Sequence, residues 1–169
     1  MAPNVAPCCA ALRERLTRTL NKTGAMDQLK LAALDAEDLE ILSSHVQDAL
    51  VRVAGLVWRP AEKSFLLEMN RFAWEKAGGF WKRHNERRRS VLHFDRVTAV
   101  RSTGIDRAKP DVVLSLLTIG FVEGEAPGGS VELLFAGDAA VSLDVECVEA
   151  RLSDLGAAWE ASSRPDHGG

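Results

Sequence analysis

The chain has 169 residues, of which 46% are hydrophobic and 27% charged, and its net charge is −3. That is the size and balance of one ordinary soluble domain, large enough to bury a core without a disulfide or a structural metal. The three cysteines, two of them the adjacent Cys8 and Cys9, exclude a paired disulfide framework and point to a reducing compartment, hence the cytoplasm; no apolar run is long enough for a membrane-spanning helix.

Residues 1–25 carry no convincing core pattern. They are read as a mobile N-terminal extension or an upstream start, with Met26 as the natural one; "VAPCCAAL" lacks the order of a secretory signal, because arginines follow it. A single globular domain is expected over residues 26–160 and a frayed tail over 161–169. Its first element is a helix over about Ala36–Leu50. Asp35 stands as N-cap, Glu37 and Asp38 suit the positive end of the helix dipole, and Leu34 and Leu39 occupy the two staple positions. The period then falls to two. "LVRVAGLVW" and "SFLLEMNRF" predict a hairpin around "RPAEK", and "AWEKAGGFWKRHNERR" reads as a loop. "RSVLHFDRVTAVRS" predicts a strand bent at Asp95–Arg96, or a strand pair. "VVLSLLTIGFV", apolar on both faces, predicts a central strand. "VELLFA" and "AVSLDV" predict a hairpin through Gly137–Asp138. A second helix is expected over about Val145–Leu155, capped by Asp144, with Val148, Leu152, Leu155 and, just beyond, Trp159 as its stripe and Gly156 as its stop. The fold class expected is α+β: an N-terminal helix, six to seven antiparallel strands in a bent sheet or small barrel, and a C-terminal helix, a pattern analogous to the pleckstrin-homology type.

Net charge is unevenly placed: +3 over residues 1–25, −4 over 26–70, +7 over 71–109 and −9 over 110–169. Such asymmetry speaks to partners, not to fold. The basic block holds "FWKRHNERRRSVLHFDRV". Arginine forks suit carboxylate and phosphate, and indole rings suit an interface or a stacked base. If Arg87, Arg88 and Arg89 enter a strand, Arg87 and Arg89 share one face and Arg88 takes the other.

Catalytic chemistry is sparse. There is no C-x-x-C pair, no paired histidine spacing, no phosphate loop and no G-x-S-x-G, so no metal and no cofactor is expected. Cys147 is ringed in sequence by Asp144, Glu146 and Glu149, which disfavours a thiolate, and is read as a structural thiol. His93 is read as a partly buried, hydrogen-bonded histidine; the sharper alternative makes it a general acid–base in a small enzyme with Asp95 and Asp106.

The stretches "MDQLKLAALDAEDLEILSSHVQDALVRV", "NRFAWE", "RRRSVLHFDRVTAVRSTGIDR", "PDVVLSLLTIGF" and "GGSVELLFAGDAAVSLDVECVEARLSDLGAAW" together resemble a bacterial family catalogued as domain of unknown function 2948. The resemblance runs from about Met26 to "SRPDH" and implies no activity, cofactor or assigned site. The function expected, from the basic and aromatic block 71–109, is that of a non-enzymatic binding or adaptor module. Its surface would comprise Arg71, Trp74, Trp81, Arg83, Arg87, Arg88 and Arg89, with Arg101, Asp106 and Arg107 as a second, turn-borne patch. Its partner would be an acidic protein or RNA, with no membrane. A homodimer, formed by opposite charge, is the structural alternative.

Overall fold

The computed structural model describes residues 28–72, 86–155 and 159–160. Short strand β1 (Lys30–Ala33) leads into α1 (Ala36–Val46), the only α-helix among the described residues. Asp35 caps α1 as its sequence predicts, its Oδ1 accepting the Asp38 N–H at 2.9 Å, while Asp38 Oδ2 accepts the Leu34 N–H at 3.2 Å. The helix stops four residues earlier than the apolar spacing suggests. Asp48 takes a left-handed conformation (φ 60°), and the chain is then free to begin a strand at Leu50.

The hairpin follows as expected: β2 (Leu50–Arg59) and β3 (Ser64–Phe72) are joined by a single 3₁₀ turn at Pro60–Glu62. Lys63 closes that turn at φ 49°. β4 (Glu86–Phe94) pairs with β3 from Phe72↔Arg87 to Phe65↔Phe94, so the arginine run lies inside a strand and not in the loop anticipated for its first members. Asp95–Arg96 is the predicted corner, with Arg96 at φ 61°, and β5 (Val97–Thr103) continues beyond it. Three backbone bonds pin the corner: Asp95 N–H to Glu149 O, Glu146 N–H to Arg96 O, and Val97 N–H to Lys63 O. Lys63 also bonds to Glu146 across it and holds that carboxyl below its ordinary pKa.

β6 (Val113–Glu123), β7 (Gly129–Phe135) and β8 (Ala139–Val145) complete an antiparallel meander, with Gly137 (φ 80°) and Asp138 (φ 57°) in the predicted tight turn. β6 is not buried on both faces: Val113, Leu117 and Val122 are exposed. β9 (Ala150–Asp154) and the two-residue β10 (Trp159–Glu160) end the described chain.

The α+β expectation with two helices and six to seven strands is overturned. The described residues are mostly sheet: nine strands form one open antiparallel path in the order β1-β9-β4-β3-β2-β6-β7-β8-β5, and β10 pairs β4 beside it. The segment expected as the C-terminal helix contains strand β9, which lies between β1 and β4 with Leu152 opposite both Leu31 and Leu92. Asp144 is not a helix cap. It sits in β8 opposite Ser130 and Ala99, and its carboxylate takes both terminal nitrogens of Arg101. The pleckstrin-homology analogy, which needs a closing C-terminal helix, goes with it. The inner face is one apolar cluster joining α1 to both arms of the sheet, from Leu39, Leu42 and Val46 through Phe65, Leu92 and Phe94 to Leu133 and Leu143.

Candidate functional site

Strand alternation decides which of the basic residues reach solvent. Along β3, Phe65, Leu67, Met69 and Arg71 point inward; along β4, Arg88, Ser90, Leu92 and Phe94; along β9, Ala150, Leu152 and Asp154. Register places Arg71 opposite Arg88 and Ser90 opposite Asp154, so the inner face ends in a polar cluster. The Asp154 carboxylate accepts from Arg71 Nε (2.9 Å), Arg71 Nη2 (2.8 Å), Ser90 Oγ (2.7 Å) and the Leu29 N–H (3.0 Å), and Arg88 Nη1 stands 3.6 Å away. Burial drives this carboxyl towards the neutral form. The hydrogen bonds from Arg71, Ser90 and Leu29, with the charge of Arg71, outweigh that and hold its pKa below the ordinary value. The clamp ties β9 to β3, to β4 and to the chain entering β1.

This makes an acid-sensitive element with a definite sign. The unfolded carboxyl binds protons more readily than the folded one, so its stabilising contribution is complete above the ordinary carboxylate range and is lost as pH falls through the folded pKa. Urea midpoints taken between about pH 7 and about pH 3 are expected to drop in the wild type. They should drop less steeply in Asp154→Asn, which starts lower but has no proton to gain there.

Arg71 and Arg88, two of the residues expected on a binding surface, are therefore interior. The outer face is carried by others. Arg87 and Arg89 point outward, as alternation predicts, with Arg87 stacked over the Phe72 ring at 4.6 Å and Arg89 bonded to Glu68 at 2.8 Å. Register brings Asn70 beside Arg89, and Leu50, hence Arg52 two residues on, beside Asn70. On the other flank it brings Ser153 beside Val91, Lys30 beside Ser153, and Arg151 beside His93. The outer face of five adjacent strands thus presents Lys30, Arg52, Arg87, Arg89 and Arg151, with Glu68 and Asp95 interleaved among them. Sequence reasoning missed Lys30, Arg52 and Arg151, because they join the face only through pairings between distant segments. β2 has four residues, 52–55, opposite the single Glu68, and this bulge opens a groove of about 470 Å³ lined by Arg52, Glu68, Asn70 and Arg89.

Trp74, Trp81 and Arg83 lie outside the described residues. Arg101 is exposed on β5 and engaged with Asp144 at 2.6 and 2.8 Å. In the turn after β5, Asp106 accepts the Ala108 N–H and stands 3.6 Å from Lys109, with Arg107 exposed beside it. His93 Nε2 lies 3.3 Å from Asp95 Oδ1, and Arg151 bonds the other oxygen of that carboxylate. Asp106 does not join them. Neither the groove on β2 nor one between α1 and β6, nor a third at the β6–β7 turn, is lined by His93, Asp95 or Asp106. Cys147 is half-buried. Among the described residues no three His, Cys, Asp or Glu side chains are grouped to hold a metal, and no helix is long and apolar enough to cross a membrane.

No curated protein and no solved structure matches the chain. One family model does, over residues 29–167, which takes in the basic face, the buried clamp and every described strand. The chain belongs to that family, a protein family of unknown function designated DUF2948.

Proposed function

We propose that the protein is a non-enzymatic docking module that holds an acidic segment of a partner protein on the outer face of β2, β3, β4, β9 and β1. The observation that carries this reading is the convergence of five cations from four distant stretches of sequence onto one sheet face. Three features favour a protein over RNA. Glu68 and Asp95 interleave with the cations and give a pattern instead of a uniform field. The whole chain is acidic, which opposes nonspecific nucleic-acid binding. The bulge groove gives Arg52, Asn70 and Arg89 a recess in which a carboxylate meets paired donors.

The test is a crosslinked pull-down from cell extract with the wild type and with Arg87→Glu, Arg89→Glu, leaving the buried Arg88 intact. An acidic protein retained by the wild type and reduced about tenfold or more in the variant supports the proposal, tenfold being roughly 1.4 kcal/mol. Ribonuclease-sensitive recovery would replace the protein partner with RNA, and identical eluates would remove the face from consideration.

A specific observation supports a second reading, the charge-paired homodimer. Residues 110–150 contain no lysine or arginine and eight acids, a block able to meet the basic face of another copy. Dissociation on raising salt, seen by light scattering without any partner present, is the outcome this reading expects.

A further inference from the structure

β6 changes partners along its length. Val113–Ser115 pair with β2, the Leu116 N–H and C=O still bond Ala49 and Asp48 just before β2, and beyond Leu116 the strand pairs only with β7. An extra residue at Leu117 shifts the β7 register by one. That shift reverses which backbone groups face outward. The Ile119 N–H leaves the sheet and donates to Ser43 Oγ of α1 at 2.9 Å, whereas the Gly124 N–H bonds Gly128 across the β7 hairpin. Antiparallel ladders alternate, so Phe121 and Glu123 share the outward orientation of Ile119. Among the described residues no strand pairs with that edge.

Sheet edges are ordinarily blunted by lysine, proline or a covering element. Leu117–Val122 contains neither residue type, and α1 satisfies the edge only at Ile119. Along this edge α1 and β6 border a groove of about 570 Å³ that runs from Leu117 to Phe121, with Glu40, Ser44 and Gln47 on one wall and Gly120 and Phe121 on the other. A side chain added at Gly120 would meet nothing within 4 Å, so that wall is unobstructed. The charge around it has one sign: α1 carries Glu37, Asp38 and Glu40 and neither lysine nor arginine, and β6 ends in Glu123.

We propose that this edge accepts an extended lysine- or arginine-bearing peptide segment of a partner protein as an added strand. The peptide backbone bonds the open N–H and C=O groups of Phe121 and Glu123, and its cations face Glu40 and Glu123. This is strand addition, in which the main chain supplies affinity and the side chains selectivity. It is a different face from the basic one and does not depend on that reading.

The probes are four synthetic peptides on the full chain: an alternating Lys–Val hexapeptide, its Glu–Val counterpart, and two forms of the Lys–Val peptide N-methylated at alternate amides, one in each register. Backbone amide exchange by NMR reads the site directly. The Lys–Val peptide is expected to slow exchange at Phe121 and Glu123. N-methylation in one of the two registers should weaken it about tenfold or more, the Glu–Val peptide should not bind, and Glu40→Lys should reduce affinity by a similar factor. Glu123→Pro provides a variant that keeps the fold, since its N–H faces away from β7; it too should bind more weakly. Unchanged exchange at Phe121 and Glu123 at millimolar peptide, equal binding of both N-methylated registers and the parent, or changes confined to the Arg89 face would each overturn the proposal.

Discussion

Asp154→Ala is expected to lower folding stability by about 3–5 kcal/mol, the usual cost of removing one member of a buried charge pair. Arg71 is fully buried and is the largest of the fully buried side chains, so its guanidinium would stay inside the fold without the carboxylate that takes its Nε and Nη2. Ser90 Oγ and the Leu29 N–H lose the same acceptor. With a total stability for such a domain of about 5–15 kcal/mol, the variant should show a large drop in urea midpoint, and loss of soluble protein if the wild type lies at the low end. The control is one strand away. Arg89→Ala removes an exposed pair with Glu68 and should change stability by only about 0.2–1 kcal/mol. A small effect at Asp154 would mean that the clamp is not formed in solution and that β9 is not held against β3 and β4 as described.

The same arginine run shows what the sequence can and cannot disclose. The alternation of Arg87, Arg88 and Arg89 follows from strand geometry alone, and the structure bears it out once the run is known to be in a strand. That it is in a strand was hidden, because a buried Arg88 reads as polar and erases the period-two signal of Arg88, Ser90, Leu92 and Phe94. Local features were legible: the Asp35 cap, the Pro60 turn, the Asp95–Arg96 corner and the Gly137–Asp138 turn each depend on a few neighbouring residues. The basic face was half legible. Composition pointed to the block 71–109, but Lys30, Arg52 and Arg151 reach that face through pairings that no local pattern encodes, and Arg71 and Arg88 leave it for the same reason. β6 does lie between β2 and β7, as its apolar character suggests, but β2 covers only Val113–Ser115, and an apolar composition looks the same whether the second partner strand runs the full length or stops short.

The β9 segment gives the sharpest contrast between the two readings of one sequence, and a pair of substitutions separates them. Val148, Leu152 and Leu155 stand at helical spacing, which is why a helix is expected; Ala150, Leu152 and Asp154 stand at strand spacing, but the aspartate disguises it. Leu152 belongs to both patterns, so its truncation is the reference. Leu152→Ala should cost about 2–5 kcal/mol, since the side chain is fully buried between Leu31 and Leu92. Leu155 is the discriminator. In a helix it lies on the buried stripe beside Leu152 and its truncation costs nearly as much. In the strand arrangement it lies past the end of β9 and is 44% exposed, so Leu155→Ala should stay within about 0.5 kcal/mol. Chemical denaturation of the two variants therefore reads the secondary structure through its energetics. Comparable losses at both positions would restore the helix and, with it, release Asp154 from Arg71; a large loss at Leu152 beside a negligible one at Leu155 fixes β9 as the strand on which the clamp and the basic face both depend.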